Sequence, residues 1–554
     1  MTALEAAAWS SIHQALMSRE FRFLSTRHGI TAYTGKVRSG RMTVPVRLAI
    51  TDPLMMPAPK VFIEDAEVLA RISAHLNEDR SLCYAEVGVE EYDPYNAGGA
   101  ILRVLESAQG TLAQVLHGSA VEDLQREFIA YWKPETYFYT DLPLGFSGPA
   151  RAVDWKRGER IGLVIASTDR VKRWTAPKSK TSKAHVVRIG RPLNTAVGGG
   201  PGRSLASLRS WLLNFVEDAD PLQLAFQSGI VDGGTLIIIA PNGTVGAAFS
   251  WPALAEQAFR KAPLVRRLRA IAQGEDKMTL EKSVADSLAL YDLVNARLAA
   301  PSPLIGKAIA VVGAGAIGSR VCLELARCGA GQDGAPLLIV DPDIFQAVNF
   351  PRHVLPISAV RTGKAQAMAE EVQRLHPSLQ VEAVSQDVFK LLHRVAKSDL
   401  IIDATGSNPV ALRLNAEAIA SRRSGRSFPP VLHAAIHGNG LAAQTVLVTP
   451  TNHACLKCLR PGHGAIKANP LKPGVATQFS SASCGDGAHV TYAASAPALA
   501  AALAVQATLE WAGKPAEPGP RVRSRVLDLD KTQAPKDRSW ERDPACPACR
   551  DDYA

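Results

Sequence analysis

No uninterrupted apolar run opens this chain: MTALEAAAWSSIHQALMSRE is broken too often to be the core of a secretory signal. A membrane span is missing as well. The Ala-rich run from Ala493 to Trp511 carries Pro497, Gln506 and Glu510 and reads as a buried helix. Cysteine is scarce, eight in 554 residues. In a leaderless chain that predicts a reducing, cytoplasmic setting and thiol chemistry rather than a disulfide scaffold. Acid is missing from Arg170 to Arg191, which holds eight Lys/Arg. A nucleic-acid face would use such a segment, but a solvated basic loop is the preferred reading, and neither nucleic acid nor membrane is expected as a partner despite the net charge of +10.

What is present is globular. The chain is 47% hydrophobic and 21% charged, and its length suits about three domains. Residues 1–120 read as a small α+β unit. An amphipathic helix is followed by GITAYTGKV and MTVPVRLAIT, joined at RSGR in a hairpin pattern, and a second helix begins after Asp93-Pro94. Residues 121–300 are mixed. They hold one strong strand, TLIIIA, and GGGPG, which reads as a loop because no strand-to-helix context surrounds it. Residues 301–554 open a strand–helix alternation: KAIAVVG, a helix to Cys328, LLIVD, a helix to His376, VEAVS and LIIDATG. That series predicts a parallel, Rossmann-like sheet, so the whole chain is multidomain α+β and α/β.

Four cysteines fall in two CxxC hooks, Cys455/Cys458 and Cys546/Cys549, about ninety residues apart. Two hooks can close a tetrahedral Zn²⁺ site with no open position, which makes such a metal structural. It would contribute about 10–16 kcal/mol and staple the tail to a distant loop. Two surface pairs or two disulfides would fit the same spacing.

KAIAVVGAGAIGSR carries Gly313-x-Gly315-x-x-Gly318 between a strand and a helix, so backbone N–H groups can meet a phosphate at a helix start. Asp341 ends the next strand, placed for a ribose hydroxyl. An NAD-dependent oxidoreductase would look the same to this point. Asp343, Asn349-x-x-Arg352-His353 and Lys364 follow, and such cations suit a triphosphate and the charge that grows as pyrophosphate leaves. Cys484, in SSASCGDGAHV, precedes a helix start that can lower a thiol pKa. Cys322 and Cys328 read as inert core thiols.

Taken in order, the GxGxxG loop, D-x-D, N-x-x-R, the downstream Lys and the two hooks around a free Cys resemble the ubiquitin-activating superfamily, which includes the bacterial sulfur-carrier activators. The resemblance implies ATP and Mg²⁺ at the Gly loop and a protein C-terminal carboxylate converted to an acyl-adenylate. It gives Asp341 the ribose, Asn349, Arg352 and Lys364 the phosphates, and Arg320 a lesser share of the same work. It makes Cys484 a thioester carrier. The superfamily's second metal-side Asp is replaced by Gly406 in Asp403-Ala404-Thr405-Gly406, which leaves Asp343 or Asp403 for Mg²⁺.

His75-Leu76-Asn77 followed by Cys83 and then Tyr92-Asp93-Pro94 resembles the ubiquitin-conjugating fold, with Leu76 in place of the usual Pro and a short spacer. The resemblance makes Cys83 a second thioester carrier and Asn77 an oxyanion donor or a support for the loop. The order of units is similar to the activating–conjugating fusions of bacterial CBASS anti-phage operons. That implies a homodimer and a substrate ending in glycine, a cGAS-like nucleotidyltransferase or a ubiquitin-like protein, joined to target lysines. A sulfur-carrier adenylyltransferase would share the last domain and have no use for Cys83.

Overall fold

A computed structural model describes the chain except for residues 1, 41, 72–74, 78, 85–91, 118–119, 158–159, 176–180, 220–221, 223–233, 251–258, 260, 451–452, 463–466, 481–488, 518, 534 and 551–554. It divides into two units, Met1–Asp286 and Ser287–Ala554.

The first unit opens with the helix Ala3–Ser18. Thr2 caps its first turn, its hydroxyl accepting from the Glu5 N–H while the Glu5 carboxylate accepts from the Thr2 N–H. Ala8, Ile12 and Leu16 recur every fourth residue and are buried against the helix Ala97–His117. An antiparallel meander follows: Arg22–Arg27, Ile30–Ser39, Met42–Ile50 and Lys60–Ile63. Val44, Val46, Leu48 and Ile50 alternate onto the core face and are fully buried. Gly35 is required there, because a Cβ would lie 2.4 Å from the Phe21 ring.

The rest of this unit is a closed seven-stranded barrel, in the order Gly243–Ser250, Thr279–Ser287, Thr136–Asp141, Arg160–Ala166, Gly148–Arg157, Thr181–Arg188, Thr235–Ala240. Phe128, Trp132 and Trp211 pack together in its core. Each indole finds a carbonyl: Trp132 Nε1 donates to Ser283 O at 2.9 Å and Trp211 Nε1 to Asn194 O at 3.1 Å. The expectation of a solvated loop over Arg170–Arg191 is corrected here. Thr181–Arg188 is a barrel strand with Ala184, Val186 and Val187 buried, and Arg170 donates to the fully buried Asp141 at 2.9 Å. Counting only charge within the segment missed an acid some thirty residues earlier. GGGPG does hold a short 3-10 turn, Val197–Gly199, rather than a phosphate loop opening a helix.

The second unit is built on a seven-stranded sheet in the order Val381–Val384, Leu337–Val340, Ile309–Val312, Leu400–Asp403, Val431–His437, Ala442–Val448, Val522–Val526. The first five run parallel, and Ala442–Val448 is antiparallel to both its neighbours, Val431–His437 and Val522–Val526. Ile309–Val312, Leu337–Val340 and Leu400–Asp403 are buried at every position, as strands covered on both faces must be. The helices Gly318–Arg327, Lys364–Leu375 and Ser495–Gly513 cover one face and Asn408–Arg423 the other. The Ala-rich run is therefore a buried helix of small residues, and among the described residues no helix is long and apolar enough to cross a membrane.

Candidate functional site

In the second unit a cavity of about 950 Å³ opens where the parallel strands end. Gly313, Gly315 and Ile317 line it from the Gly loop, Asp341 and Asp343 from the next strand end, and Arg352 and Lys364 from the segment beyond. Gly313 sits at φ +90, and a Cβ on Gly318 would fall 1.7 Å from Gly313 O, so both glycines are forced by the turn.

The loop is braced from below. Asp341 is 5% exposed, and its carboxylate accepts from Ala314 N at 2.6 Å and Asp343 N at 2.8 Å. His353 Nδ1 accepts from Leu355 N at 3.1 Å, so Nε2 carries the proton and donates to Ala314 O at 2.6 Å. Burial holds His353 down to about 4, and it acts as a neutral strut. Burial also pushes the Asp341 carboxyl up.

Lys364 Nζ lies 2.8 Å from Asp343 Oδ2, and the Lys364 side chain is mostly enclosed. The Arg352 guanidinium stacks 5.0 Å from the Tyr492 ring centroid. Four predicted nucleotide-site residues do not reach the cavity wall: Gly318, packed inside the turn, and Arg320, Asn349 and Asp403. Arg320 turns back to donate to Ala316 O at 2.9 Å and Arg352 O at 2.5 Å, which fixes the stretch that carries Arg352. Asn349 accepts from Gln346 N at 3.0 Å and caps a 3-10 turn. Asp403 is buried against His433 Nδ1 at 2.8 Å and Thr405 Oγ1 at 2.7 Å. Asp387 lines the cavity instead, as do Asn408, His437, Arg460 and Tyr492, none of which sequence reasoning singled out. Arg460 had a signal, as a cation two residues beyond Cys458.

The four hook cysteines come together. Their sulfurs all lie within 4.8 Å of one another, with Sγ–Sγ distances of 3.7 Å for Cys455–Cys458, 3.8 Å for Cys455–Cys546 and 3.4 Å for Cys458–Cys549. Those distances are too long for disulfides. They match sulfurs about 3.8 Å apart around one tetrahedral ion with Zn–S of about 2.3 Å. Burial pushes the Cys455 thiol up to about 12, a cost that a bound cation would remove.

In the first unit Cys83 closes a tight hairpin. Its N–H donates to His75 O at 2.8 Å, Asn77 N to Ser81 O at 2.9 Å, and Leu76 bridges Leu82. Asn77 Nδ2 donates to Ser81 Oγ at 3.0 Å and so helps hold the hairpin. His75 stands at φ +58, and its N–H donates to Tyr131 Oη at 2.6 Å. Tyr131 in turn donates to Glu127 at 3.3 Å. Burial, and then the Glu127 charge, raise the Cys83 thiol above its ordinary value. Cys484 lies outside the described residues.

Residues 5–139 match the Prokaryotic E2 family B, and residues 304–548 match the ThiF family. The chain is a fusion of the two. The prokaryotic E2 domain thus carries Cys83, and the ThiF domain carries the cavity and the four-cysteine cluster. A relative from Pseudomonas aeruginosa, named ATP-dependent ubiquitin transferase-like protein Cap2, is 27% identical over 573 residues and matches 98% of this chain and 99% of its own length. The ThiF domain is also similar to the SAMP-activating enzyme E1 of Haloferax volcanii, 33% identical over 161 residues, covering 28% of this chain and 55% of the relative. Among solved structures, Escherichia coli MccB with ATP is 19% identical and covers 47% of this chain and 70% of its own, at a TM-score of 0.35.

Proposed function

We propose that this fusion activates the C-terminal carboxylate of a protein with ATP and passes it through two thioesters to lysine amines. The observation that carries the reading is one cavity where a Gly loop faces two cations, Arg352 and Lys364, in a chain whose other unit presents a cysteine on a braced hairpin. A nicotinamide cofactor has no need of both cations.

The Gly313–Gly318 loop donates N–H groups to the phosphates, and Asp341 keeps lone pairs free for a ribose hydroxyl. Asp343 and Asp387 are the carboxylates on the wall able to hold Mg²⁺, which would offset phosphate charge. A carboxylate oxygen attacks the α-phosphorus, the bond to the β-phosphate oxygen breaks, and pyrophosphate leaves with the electron pair. Arg352 and Lys364 meet the growing negative charge. Lys364 must then exchange Asp343 for phosphate, or share it. The Cys484 thiolate next attacks the acyl carbon and AMP leaves. The Cys83 thiolate displaces Cys484, and a lysine amine displaces Cys83 while giving up its proton.

The substrate class is a protein ending in glycine, a cGAS-like nucleotidyltransferase or a ubiquitin-like protein, within a cytoplasmic anti-phage system, and the enzyme works as a homodimer. The test is capture. Wild type with ATP should form a reductant-sensitive adduct with such a protein, dependent on its C-terminal carboxylate. Transfer of sulfur to the activated carboxylate, with Cys83 dispensable, would make the chain a sulfur-carrier adenylyltransferase instead.

A further inference from the structure

The cavity has a second basic corner that this mechanism leaves idle. Arg460 lines it, on the residue that follows the short helix Leu456–Leu459. That helix is held by the four-cysteine cluster at Cys455 and Cys458 and by Leu456 N donating to Asn415 Oδ1 at 2.9 Å. The guanidinium donates to Asn408 Oδ1, at the start of the helix Asn408–Arg423. Among the described residues no carboxylate lies within ion-pair distance of Arg460, although the buried Asp403 acts on its charge from further off; Lys364 is already paired with Asp343. His437 ends the strand Val431–His437 on the same wall. It is 9% exposed, and its Nε2 has no hydrogen-bond partner among the described residues. A guanidinium with no carboxylate at hydrogen-bond distance can take a small anion, and that anion's charge would favour a proton on the open His437 nitrogen, which would then donate to it.

We infer that Arg460, Asn408 and His437 form the seat for the C-terminal carboxylate of the incoming protein. The inference rests on the adenylation reading and deepens it. A guanidinium holds a carboxylate through two parallel hydrogen bonds, which fixes its plane as well as its position. The sheet order separates this seat from the phosphate loop. Leu400–Asp403 stands between the strand of the Gly loop and the strand that ends at His437, and two strand spacings amount to about 10 Å. The triphosphate occupies the loop amides, Arg352 and Lys364. A nucleophile must come from elsewhere, and a second anion brought against that triphosphate needs its own cation. Arg460 is the one the wall offers, and because its backbone hangs from the cysteine cluster, its position does not depend on the nucleotide.

The test is ATP–pyrophosphate exchange by the full chain, with ATP and a glycine-ended protein that wild type adenylates varied separately. Arg460→Ala should raise KM for the protein about ten- to hundredfold, the loss expected of a charged hydrogen bond. KM for ATP should stay within about twofold, and zinc content should match wild type. Arg460→Lys should recover part of the loss, and His437→Gln should raise the same KM by less. A rise confined to KM for ATP would make Arg460 a phosphate ligand and overturn the assignment, as would no change in either constant. Should Arg460→Ala lose zinc, Asn408→Ala and His437→Gln decide the matter, since neither belongs to the hooks. If wild type exchanges with no glycine-ended protein, the adenylation reading itself falls, and the seat with it.

Discussion

Single side chains carry two separable predictions. Lys364 and Arg352 face the Gly loop in one cavity, so replacing either with Ala should cut ATP–pyrophosphate exchange by about 10²–10³. The circular dichroism and zinc content of both variants should stay those of wild type. Exchange within a few-fold of wild type would remove these residues from the phosphate chemistry. At Cys83 the sign of the effect can be worked out. Burial is the first cause of its raised pKa and the Glu127 charge the second. Glu127→Gln removes only the second, so the thiol should titrate lower than in wild type but still above an ordinary cysteine. Alkylation of the Cys83 peptide by iodoacetamide, followed by mass spectrometry across pH, should speed up at pH 8 in the variant. A slower or equal rate would show that Glu127 does not act on the sulfur. Tyr131, which burial pushes up to about 12, stays neutral throughout that range and keeps its hydrogen bond to Glu127.

At the scale of elements, what the sequence revealed follows local physics. Strands such as Ile309–Val312 are short apolar runs between a turn and a helix, and a buried parallel sheet demands that pattern. The hairpin of Ile30–Ser39 with Met42–Ile50 was legible from its alternation and its Gly turn. The barrel was not. Two of its strand pairs, Thr136–Asp141 with Arg160–Ala166 and Thr181–Arg188 with Thr235–Ala240, are parallel without the regular helix repeat that announces a parallel sheet. Among site residues, Arg352 and Lys364 follow the Gly loop closely enough to be read with it. His437 and Arg460 lie more than a hundred residues later and meet the loop only through sheet order. The hooks were readable as a pair because thiol spacing is a chemical statement that needs no fold. Purified protein should therefore hold about one Zn²⁺ per chain. Cys546→Ser should lower that content and release the C-terminal segment to proteolysis near Trp540, whose carbonyl now accepts from Ala454 N at 2.9 Å. A zinc-free preparation that melts and resists protease like the metal-bound one would sink the structural-metal role.

At the scale of the whole chain, the order of chemistry is fixed by energy. In the proposed mechanism only the ThiF domain, which holds the nucleotide cavity, makes an activated carboxylate, and a thioester preserves that activation through each exchange. The proposed relay therefore runs from adenylation to Cys484 and then to Cys83. Cys83→Ala should still form adenylate and a reducible adduct on Cys484, with no isopeptide product. Cys484→Ala should form adenylate and load neither cysteine. Each exchange needs two sulfurs at bonding distance, and the two cysteines belong to different units. Either the units of one chain approach each other or one protomer serves its partner. Mixing Cys83→Ala chains with Cys484→Ala chains separates the routes, because product can then arise only between chains. Recovered isopeptide would establish transfer across a dimer, and its absence would confine the relay to one chain. Conjugation by Cys83→Ala alone at the wild-type rate would break the order at its last step. The braced hairpin would then be a structural remnant, and the lysine would take its acyl group directly from the ThiF domain.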